Sequence, residues 1–249
     1  MKYRKGDTLI EVMLAVGIFS MIAVAIVSVM SEGTSSAQTA LETTLTREEI
    51  DTQAEALRFI QTSYIADRNS ASEKYQKIWE TITGRAIDLS EPSANAEQNA
   101  FLQFSPSSCG ELYSDTWVKK KAFIIDPRAL GDNEKDAVED TIKTFSDNVL
   151  KEATTYPRLV YASNGTIENS DSLVEDKDTT KYNLYQAEGI YIIGVKDPGN
   201  TRKIDNIDPN ATQSAYYDFY IRACWYGSDA NEPSTISTVI RLFDPAIME

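Results

Sequence analysis

Histidine is absent from this chain of 249 residues. Its absence removes the commonest general base and the commonest zinc ligand, and it excludes Ser-His-Asp, Cys-His and HExxH chemistry. The chain has only two cysteines, so it cannot form a four-thiolate zinc site either. No other set of residues forms a recognisable catalytic constellation. The sequence therefore predicts a protein that is not an enzyme.

Basic side chains are scarce: the chain has 24 Lys and Arg residues but 38 Asp and Glu residues, which gives a net charge of −14. Nucleic acids and anionic lipid surfaces need clustered Lys and Arg, so we expect no direct nucleic-acid binding. The content of 42% hydrophobic and 25% charged residues is that of a folded protein, not of a collagen-like or wholly disordered one.

Proline does not occur before Pro92, and between residues 8 and 66 the only glycines are Gly17 and Gly33. A single long helix is therefore allowed over this stretch. Twenty residues from Val12 to Ser31 carry no charge, and as a helix they would cover about 30 Å, the thickness of a hydrocarbon core. Lys2, Arg4 and Lys5 precede this run, so the positive-inside rule predicts a cytoplasmic N terminus and an external C-terminal domain.

Glu11 lies at the start of the apolar run, where an unpaired carboxylate is costly and indicates a function. One interpretation is a secretory signal cleaved near Ser35-Ser36-Ala37, as in a secreted enzyme. That interpretation leaves Glu11 unexplained.

The segment Gly6-Asp7-Thr8-Leu9-Ile10-Glu11-Val12 follows a short basic leader and opens the long apolar run. It resembles the prepilin processing signal of type IV pilins and type II secretion pseudopilins. The resemblance is close from residue 5 to residue 31 and extends loosely, as a helical pattern, to about residue 64. The chain departs from the family at Asp7, where the family usually has Phe.

The resemblance implies that prepilin peptidase, a membrane-embedded aspartyl protease, cuts between Gly6 and Asp7 on the cytoplasmic face and methylates the new amino group. It implies an assembly role for the core Thr8, Leu9, Ile10 and Glu11. The Glu11 carboxylate would neutralise the free amino group of a neighbouring subunit inside a filament, a pairing that compensates the burial of both charges.

The resemblance and the sequence pattern together predict a leader at 1–6, a transmembrane and assembly helix at 7–31, an amphipathic continuation at 32–66 and an extracytoplasmic α+β domain at 67–249. In the continuation, apolar residues recur mostly at steps of three and four, which predicts one buried stripe. Its members are Leu41, Leu45, Ile50, Ala54, Leu57, Ile60 and Tyr64.

The region from 67 to 98 is predicted to connect the helix to a sheet and includes a short helical stretch at 75–79. Strand-like runs then occur at 101–104, 117–125, 158–162, 189–195, 216–226 and 234–243. The last two predict an antiparallel hairpin. Between the early and late strands, 133–151 carries Val138, Ile142, Phe145 and Val149 at helical spacing, which predicts a surface helix. A long helix followed by a sheet is an α+β order, and it agrees with a pilin-like fold, in which the second half of the helix packs on a C-terminal antiparallel sheet.

Cys109 and Cys224 would be external under this topology, where thiols oxidise. A bridge between them would close a loop of 116 residues, counted from 109 to 224, and could contribute about 4 to 5 kcal/mol on the chain-entropy model. The alternative is two unpaired core cysteines, because sequence does not show whether the two approach each other.

The loop at 196–214 carries oxygen ligands of the kind that calcium accepts, at Asp197, Asp205, Asp208 and Asn210. Their spacing is not that of an EF-hand, so a solvated acidic loop is the simpler interpretation and no cofactor is assigned. The aromatic residues of 216–226 are expected to form sheet core and not a ligand-binding face.

Together these features predict a minor pilin or pseudopilin, held in the cytoplasmic membrane by lipid and then assembled into an extracellular filament. Its partners would be prepilin peptidase and the apolar helices of other subunits. The alternative is a single-pass, membrane-tethered extracellular binding domain that does not polymerise. Glu11 distinguishes the two, because only assembly needs its charge.

Overall fold

The computed structural model describes residues 7–67, 73–88, 109, 120–131, 138, 141–144, 150–151, 153, 156–161, 185–196, 201–203, 212–214, 216–227 and 232–245. The predicted strand at 101–104 lies outside these residues. The chain divides into two units, Met1–Glu42 and Thr43–Glu249. The first is the N-terminal part of a long helix, and the second holds the remaining elements.

Helix α1 spans Asp7–Asp67 without interruption, as the lack of proline predicts. Hydroxyl groups within it are satisfied by the helix itself. Ser20 Oγ donates to the Val16 carbonyl at 2.8 Å and Thr34 Oγ1 donates to the Met30 carbonyl at 2.8 Å. Such bonds four residues back let Ser and Thr occur inside an apolar helix without leaving a polar group unsatisfied.

The C-terminal half of α1 contributes one face to the core. The buried stripe predicted from the sequence is confirmed at Ile50, Ala54, Leu57 and Ile60, which are almost fully buried. The prediction that Leu41 belongs to the buried stripe is wrong, because its side chain is 59% exposed. A sequence period does not show where along a helix the covering layer begins, and here burial of the stripe starts only after residue 41.

Helix α2 (Lys74–Gly84) includes the helical stretch predicted at 75–79 and buries Ile78, Trp79 and Ile82. Strand β1 (Ile87–Asp88) follows it directly. Tyr75 of α2 meets Phe59 of α1 edge to face at 5.7 Å, and its hydroxyl donates to the Leu130 carbonyl at 2.9 Å. These contacts hold α2 against α1 and the turn at Ala129–Gly131.

The largest sheet contains six of the strands: β1, β2 (Phe123–Ile125), β3 (Ile142–Thr144), β7 (Ile190–Lys196), β10 (Tyr216–Trp225) and β11 (Ser234–Phe243). Its main order is β11-β10-β7-β2-β3, and all neighbours on this path are antiparallel. Strand β1 pairs with β7 in parallel. The predicted hairpin is confirmed, with Tyr216 opposite Phe243 and Trp225 opposite Ser234.

Two smaller sheets accompany it. Strand β6 (Tyr185–Glu188) lies between β4 (Leu150–Lys151) and β5 (Arg158–Tyr161), and β8 (Thr201–Lys203) pairs with β9 (Thr212–Ser214). The predicted strands at 158–162 and 189–195 are confirmed with small shifts of their ends. The strand predicted at 117–125 is shorter, because Lys120 and Lys121 have helical backbone.

The helix predicted over 133–151 is wrong in its second half. Residues 138 and 141 have helical backbone, but Ile142–Thr144 is a strand and Leu150–Lys151 is another. Ile142 lies opposite Ile125 of β2, and both it and Thr144 are buried while Lys143 between them is half-buried. Pairing with β2 therefore overrides the helical spacing of the apolar residues.

Candidate functional site

The N-terminal motif lies at the start of α1. Gly6 is outside the described residues, α1 begins at Asp7, and the side chains of Asp7 and Thr8 are likewise not described. Leu9, Ile10 and Glu11 are all exposed to solvent. The motif's described side chains are thus available for contact with another molecule.

The helix after the motif carries what we call the apolar belt, the large apolar side chains between Leu9 and Met30 that are each more than half exposed. An 18-residue window of α1 has a mean hydropathy of 2.7 and none of it is buried. By length and composition, this is the one helix among the described residues that can cross a membrane. The belt is made of Leu9, Ile10, Val12, Met13, Leu14, Val16, Ile18, Phe19, Met21, Ile22, Val24, Ile26, Val27, Val29 and Met30.

Cys109 and Cys224 form a disulfide, with their Cα atoms 5.6 Å apart. This confirms the bridge that the sequence left open. Both cysteines are fully buried, and the bridge ties the end of β10 to a residue that precedes β2 in the chain. Next to it, the Cys224 amide donates to the Gly189 carbonyl at 2.9 Å.

Gln53 joins α1 to the main sheet by two hydrogen bonds that sequence reasoning missed. Its side-chain Nε2 donates to the Ile125 carbonyl at 2.9 Å, and its Oε1 accepts from the Ile125 amide at 2.9 Å. The side-chain amide is fully buried and pairs with β2 as another strand would. Nothing in the sequence distinguishes Gln53 from its polar neighbours Asp51 and Thr52 as the residue that makes this contact.

A second buried polar contact centres on Asp244, which directly follows β11. Trp79 Nε1 donates to Asp244 Oδ1 at 3.2 Å, and both residues are buried. Burial raises the pKa of the nearby Tyr217 phenol to about 12, and the negative charge of Asp244 adds to this effect. The hydrogen bond between Trp79 and Asp244 holds α2 to the end of β11, and its burial leaves it no role in binding a ligand.

Arg222 is a cation within the main sheet. Its side chain lies against the Tyr220 ring at 5.4 Å. Burial lowers the pKa of its guanidinium, while the neighbouring Tyr191 hydroxyl acts in the opposite direction.

The aromatic residues of β10 pack as predicted, because Tyr216, Tyr217, Phe219 and Trp225 are buried in the core. Trp79 contacts the Tyr217 and Phe219 rings edge to face, each at 6.0 Å.

A groove of about 720 Å³ runs along the second half of α1 and is called the acidic groove here. Its rim carries four carboxylates, and Phe59 and Leu130 contribute apolar surface. Burial raises the pKa of Glu49 in this groove, the amide of Leu159 opposes that effect, and the charge of Glu48 adds to it. The four carboxylates are those of Glu48, Glu49, Asp51 and Glu55.

The weak calcium candidates Asp197, Asp205, Asp208 and Asn210 lie outside the described residues. Three of them, Asp205, Asp208 and Asn210, fall in the sequence between Thr201–Lys203 and Thr212–Ser214, which pair with each other, and Asp197 precedes both strands. Within the part of the chain that the structure describes, no three acidic or cysteine side chains come together as a metal site.

No family model, curated protein or solved structure matches this chain. The function is therefore inferred from the N-terminal motif, the apolar belt and the contacts described above.

Proposed function

We propose that the chain is a structural subunit, a minor pilin or pseudopilin, of a type IV pilus-like or type II secretion filament. The observation that carries the proposal is the apolar belt, which begins within a few residues of Gly6 and covers all sides of α1. The same segment that resembles a prepilin processing signal is thus also a helix with fully available apolar side chains.

A helix that exposes large apolar side chains on every side is not stable in water by itself. Only lipid or other apolar helices can cover such a surface. We therefore assign the belt two successive environments: the cytoplasmic membrane before assembly and the packed helices of neighbouring subunits afterwards. In both environments the belt stays covered, so moving from one to the other costs little hydrophobic free energy.

Glu11 supplies the charge that a plain membrane anchor does not need. After prepilin peptidase cuts behind Gly6, Asp7 carries a new amino group, and Glu11 of a neighbouring subunit neutralises it. Losing one partner of a buried ion pair costs about 3 to 5 kcal/mol. That cost would select the axial position at which each new subunit binds.

The disulfide supports an external position for the domain at 67–249, because disulfides form and persist in oxidising compartments. The basic leader supports a cytoplasmic N terminus. We therefore propose a single-pass protein of the cytoplasmic membrane whose C-terminal domain lies outside and which then becomes part of an extracellular filament.

The first experiment is the determination of the N terminus of the mature protein from native cells by mass spectrometry. We expect it to start at Asp7 with a methylated amino group, and we expect the Gly6→Leu variant to keep all six leader residues. A mature N terminus at Met1 would contradict processing. One near Ala37 would instead identify a cleaved secretory signal.

The second experiment separates assembly from simple anchoring. Glu11→Ala should abolish recovery of the protein in sheared filaments while leaving it in the membrane fraction. The matched control is Glu32→Ala, which removes an exposed carboxylate of the same helix outside the motif and should leave filaments unchanged. If Glu11→Ala assembles as well as Glu32→Ala, the chain is a tethered extracellular domain that does not polymerise.

A further inference from the structure

The acidic groove lies at one end of strand β2. The carboxylates that line it all lie on α1, and Leu130 lies on the side that follows β2. Phe59 contributes an aromatic ring that is 48% exposed. Among the described residues, neither Glu48 nor Asp51 forms an ion pair, whereas Glu55 pairs with Arg58. The Lys74 ammonium donates to the Leu130 carbonyl at 3.0 Å beside the groove, so its uncompensated negative charge lies at Glu48 and Asp51, next to the apolar side chains of Phe59 and Leu130.

A basic cluster lies at the other end of the same strand. Lys120 and Lys121 lie one residue before β2, and Arg85 joins them by donating from Nη1 to the Lys120 carbonyl at 3.0 Å. The Lys121 ammonium is also held on this side, where it donates to the Ala86 carbonyl at 3.4 Å. Lys196 and Asp88 pair nearby at 2.8 Å and add no net charge. The Lys120 side chain is exposed.

The two surfaces are too far apart to neutralise each other within one subunit. The four residue steps from Ala122 to Asp126 along β2 cover roughly 13 Å at strand spacing. Attraction between solvent-exposed charges is largely screened beyond about 8 Å at physiological ionic strength. Each subunit therefore presents a negative groove and a positive cluster at opposite ends of one strand.

We propose that the acidic groove of one copy receives the basic cluster of Arg85, Lys120 and Lys121 from the next copy. This inference rests on the filament function proposed above. Contact between two different surfaces of identical subunits is heterologous, and unless its rotation closes a ring it propagates as a helix. The two surfaces thus supply the kind of contact that a filament repeats at each step.

The groove suits lysine side chains in particular. Their aliphatic stems can cover the apolar floor at Phe59 and Leu130 while the ammonium groups reach the carboxylates on the rim. The net charge of −14 makes copies repel one another in general. A local contact between opposite charges offsets that repulsion where subunits meet, and it selects one orientation among many.

The direct test is cross-linking between copies in sheared filaments of the full-length protein. With Glu48→Cys and Lys120→Cys in the same chain, mild oxidation should give a ladder of disulfide-linked multimers on a non-reducing gel. The control chain combines Lys120→Cys with Glu232→Cys, a change at an exposed acid outside the groove, and should give no ladder. Equal ladders from both chains, or none from either, would overturn the proposed contact.

Charge reversal tests the electrostatic part of the same contact. Glu48→Lys and Lys120→Glu should each lower filament yield about tenfold relative to the matched control Glu232→Lys. The Glu48→Lys/Lys120→Glu chain, with the charges exchanged, should recover most of the yield. Single variants that assemble like the control, or a double variant no better than the singles, would refute the pairing.

These outcomes can be told apart from failure of the proposed function. If wild-type protein forms filaments that depend on Glu11 while the groove variants behave as the control does, only the docking contact is wrong. If wild-type protein forms no filaments, or forms them without need of Glu11, the filament function itself is wrong and the docking contact falls with it.

Discussion

Gln53 shows at the scale of one residue how the helix is held to the sheet. Its side-chain amide satisfies both backbone groups of Ile125. Replacing it by Leu keeps its approximate size but leaves a buried amide and a buried carbonyl without partners, at about 1 to 3 kcal/mol each. We predict that Gln53→Leu lowers the free energy of unfolding by about 2 to 6 kcal/mol, measured by denaturant titration of the full-length protein in detergent.

Gln76→Leu is the matched control for this prediction. Gln76 is an exposed helical glutamine whose Nε2 donates to Glu80 at 3.1 Å. Its replacement should change the free energy of unfolding by no more than about 0.5 kcal/mol. If both variants had the same stability, the paired hydrogen bonds of Gln53 would contribute little.

Tyr217 gives a prediction about pH. Burial and the charge of Asp244 raise the pKa of its phenol from about 10 to about 12. Because the folded value lies above the unfolded one, the stability that this group contributes is complete below pH 10 and is lost as the pH rises towards 12. Ultraviolet titration should show a late ionisation step that disappears in Tyr217→Phe.

Asp244→Asn tests the cause of that shift. Removing the carboxylate charge should lower the pKa of Tyr217 but keep it above 10, because burial is the larger cause. The control is Asp126→Asn, which changes a different buried carboxylate and should leave the late step in place. A step that does not move in Asp244→Asn would exclude the electrostatic contribution.

At the scale of single residues, sequence reasoning identifies residues whose role depends on their neighbours in the chain. Glu11 is conspicuous because a charge opens an apolar run, and the cysteine pair is conspicuous because there are only two. Gln53 and Asp244 are not, since their importance comes from partners 72 and 165 positions away in the chain. No local pattern shows that a glutamine will meet a particular strand.

At the scale of helices and strands, an element can be predicted from sequence when the spacing of its apolar residues is regular over a long enough stretch. The α1 stripe and the β10–β11 hairpin follow from patterns sustained over ten or more residues. The helix predicted at 133–151 is wrong in its second half because pairing of Ile142–Thr144 with β2 overrides the helical spacing of the apolar residues. A strand of three residues is too short for its alternation to be recognised against a helical spacing of apolar residues.

Gly189 separates β6 from β7, and its φ is +69°, a conformation that favours glycine. A Cβ atom there would lie 2.6 Å from both the Ala153 Cβ and the Cys224 carbonyl oxygen. Strain and overlap act together, so we predict that Gly189→Ala lowers the free energy of unfolding by more than about 2 kcal/mol. Thermal unfolding of the full-length protein in detergent measures this.

Gly84→Ala serves as the comparison. A Cβ atom at Gly84 meets nothing within 4 Å, and the position ends α2. The change should alter stability by less than about 1 kcal/mol in either direction. A Gly189→Ala variant as stable as Gly84→Ala would show that the turn before β7 can relax around a side chain.

At the scale of the molecule, the division after Glu42 predicts that residues 43–249 fold without the apolar belt. This fragment keeps the α1 residues that enter the core, Ile50, Ala54, Leu57 and Ile60, and Thr43 is a suitable helix N-cap. We predict a soluble monomer in detergent-free buffer, measured by sedimentation velocity. The full-length chain should aggregate under the same conditions because its belt is exposed.

The fragment should also retain its cooperative thermal transition, with a midpoint within a few degrees of that of the full-length protein in detergent. A fragment that is soluble but melts without cooperativity would mean that the N-terminal unit supports the core. The fragment is not expected to enter filaments, because it lacks both Glu11 and the belt.

The link between Cys109 and Cys224 closes the chain into a covalent ring. Hydrolysis of any one peptide bond within that ring opens it without dividing the molecule. Two cuts are needed to release a piece, and the strands β10 and β11 would then still be attached to the N-terminal helix through the bridge. A single proteolytic cut inside the ring therefore separates no fragment on a gel until a reductant is added.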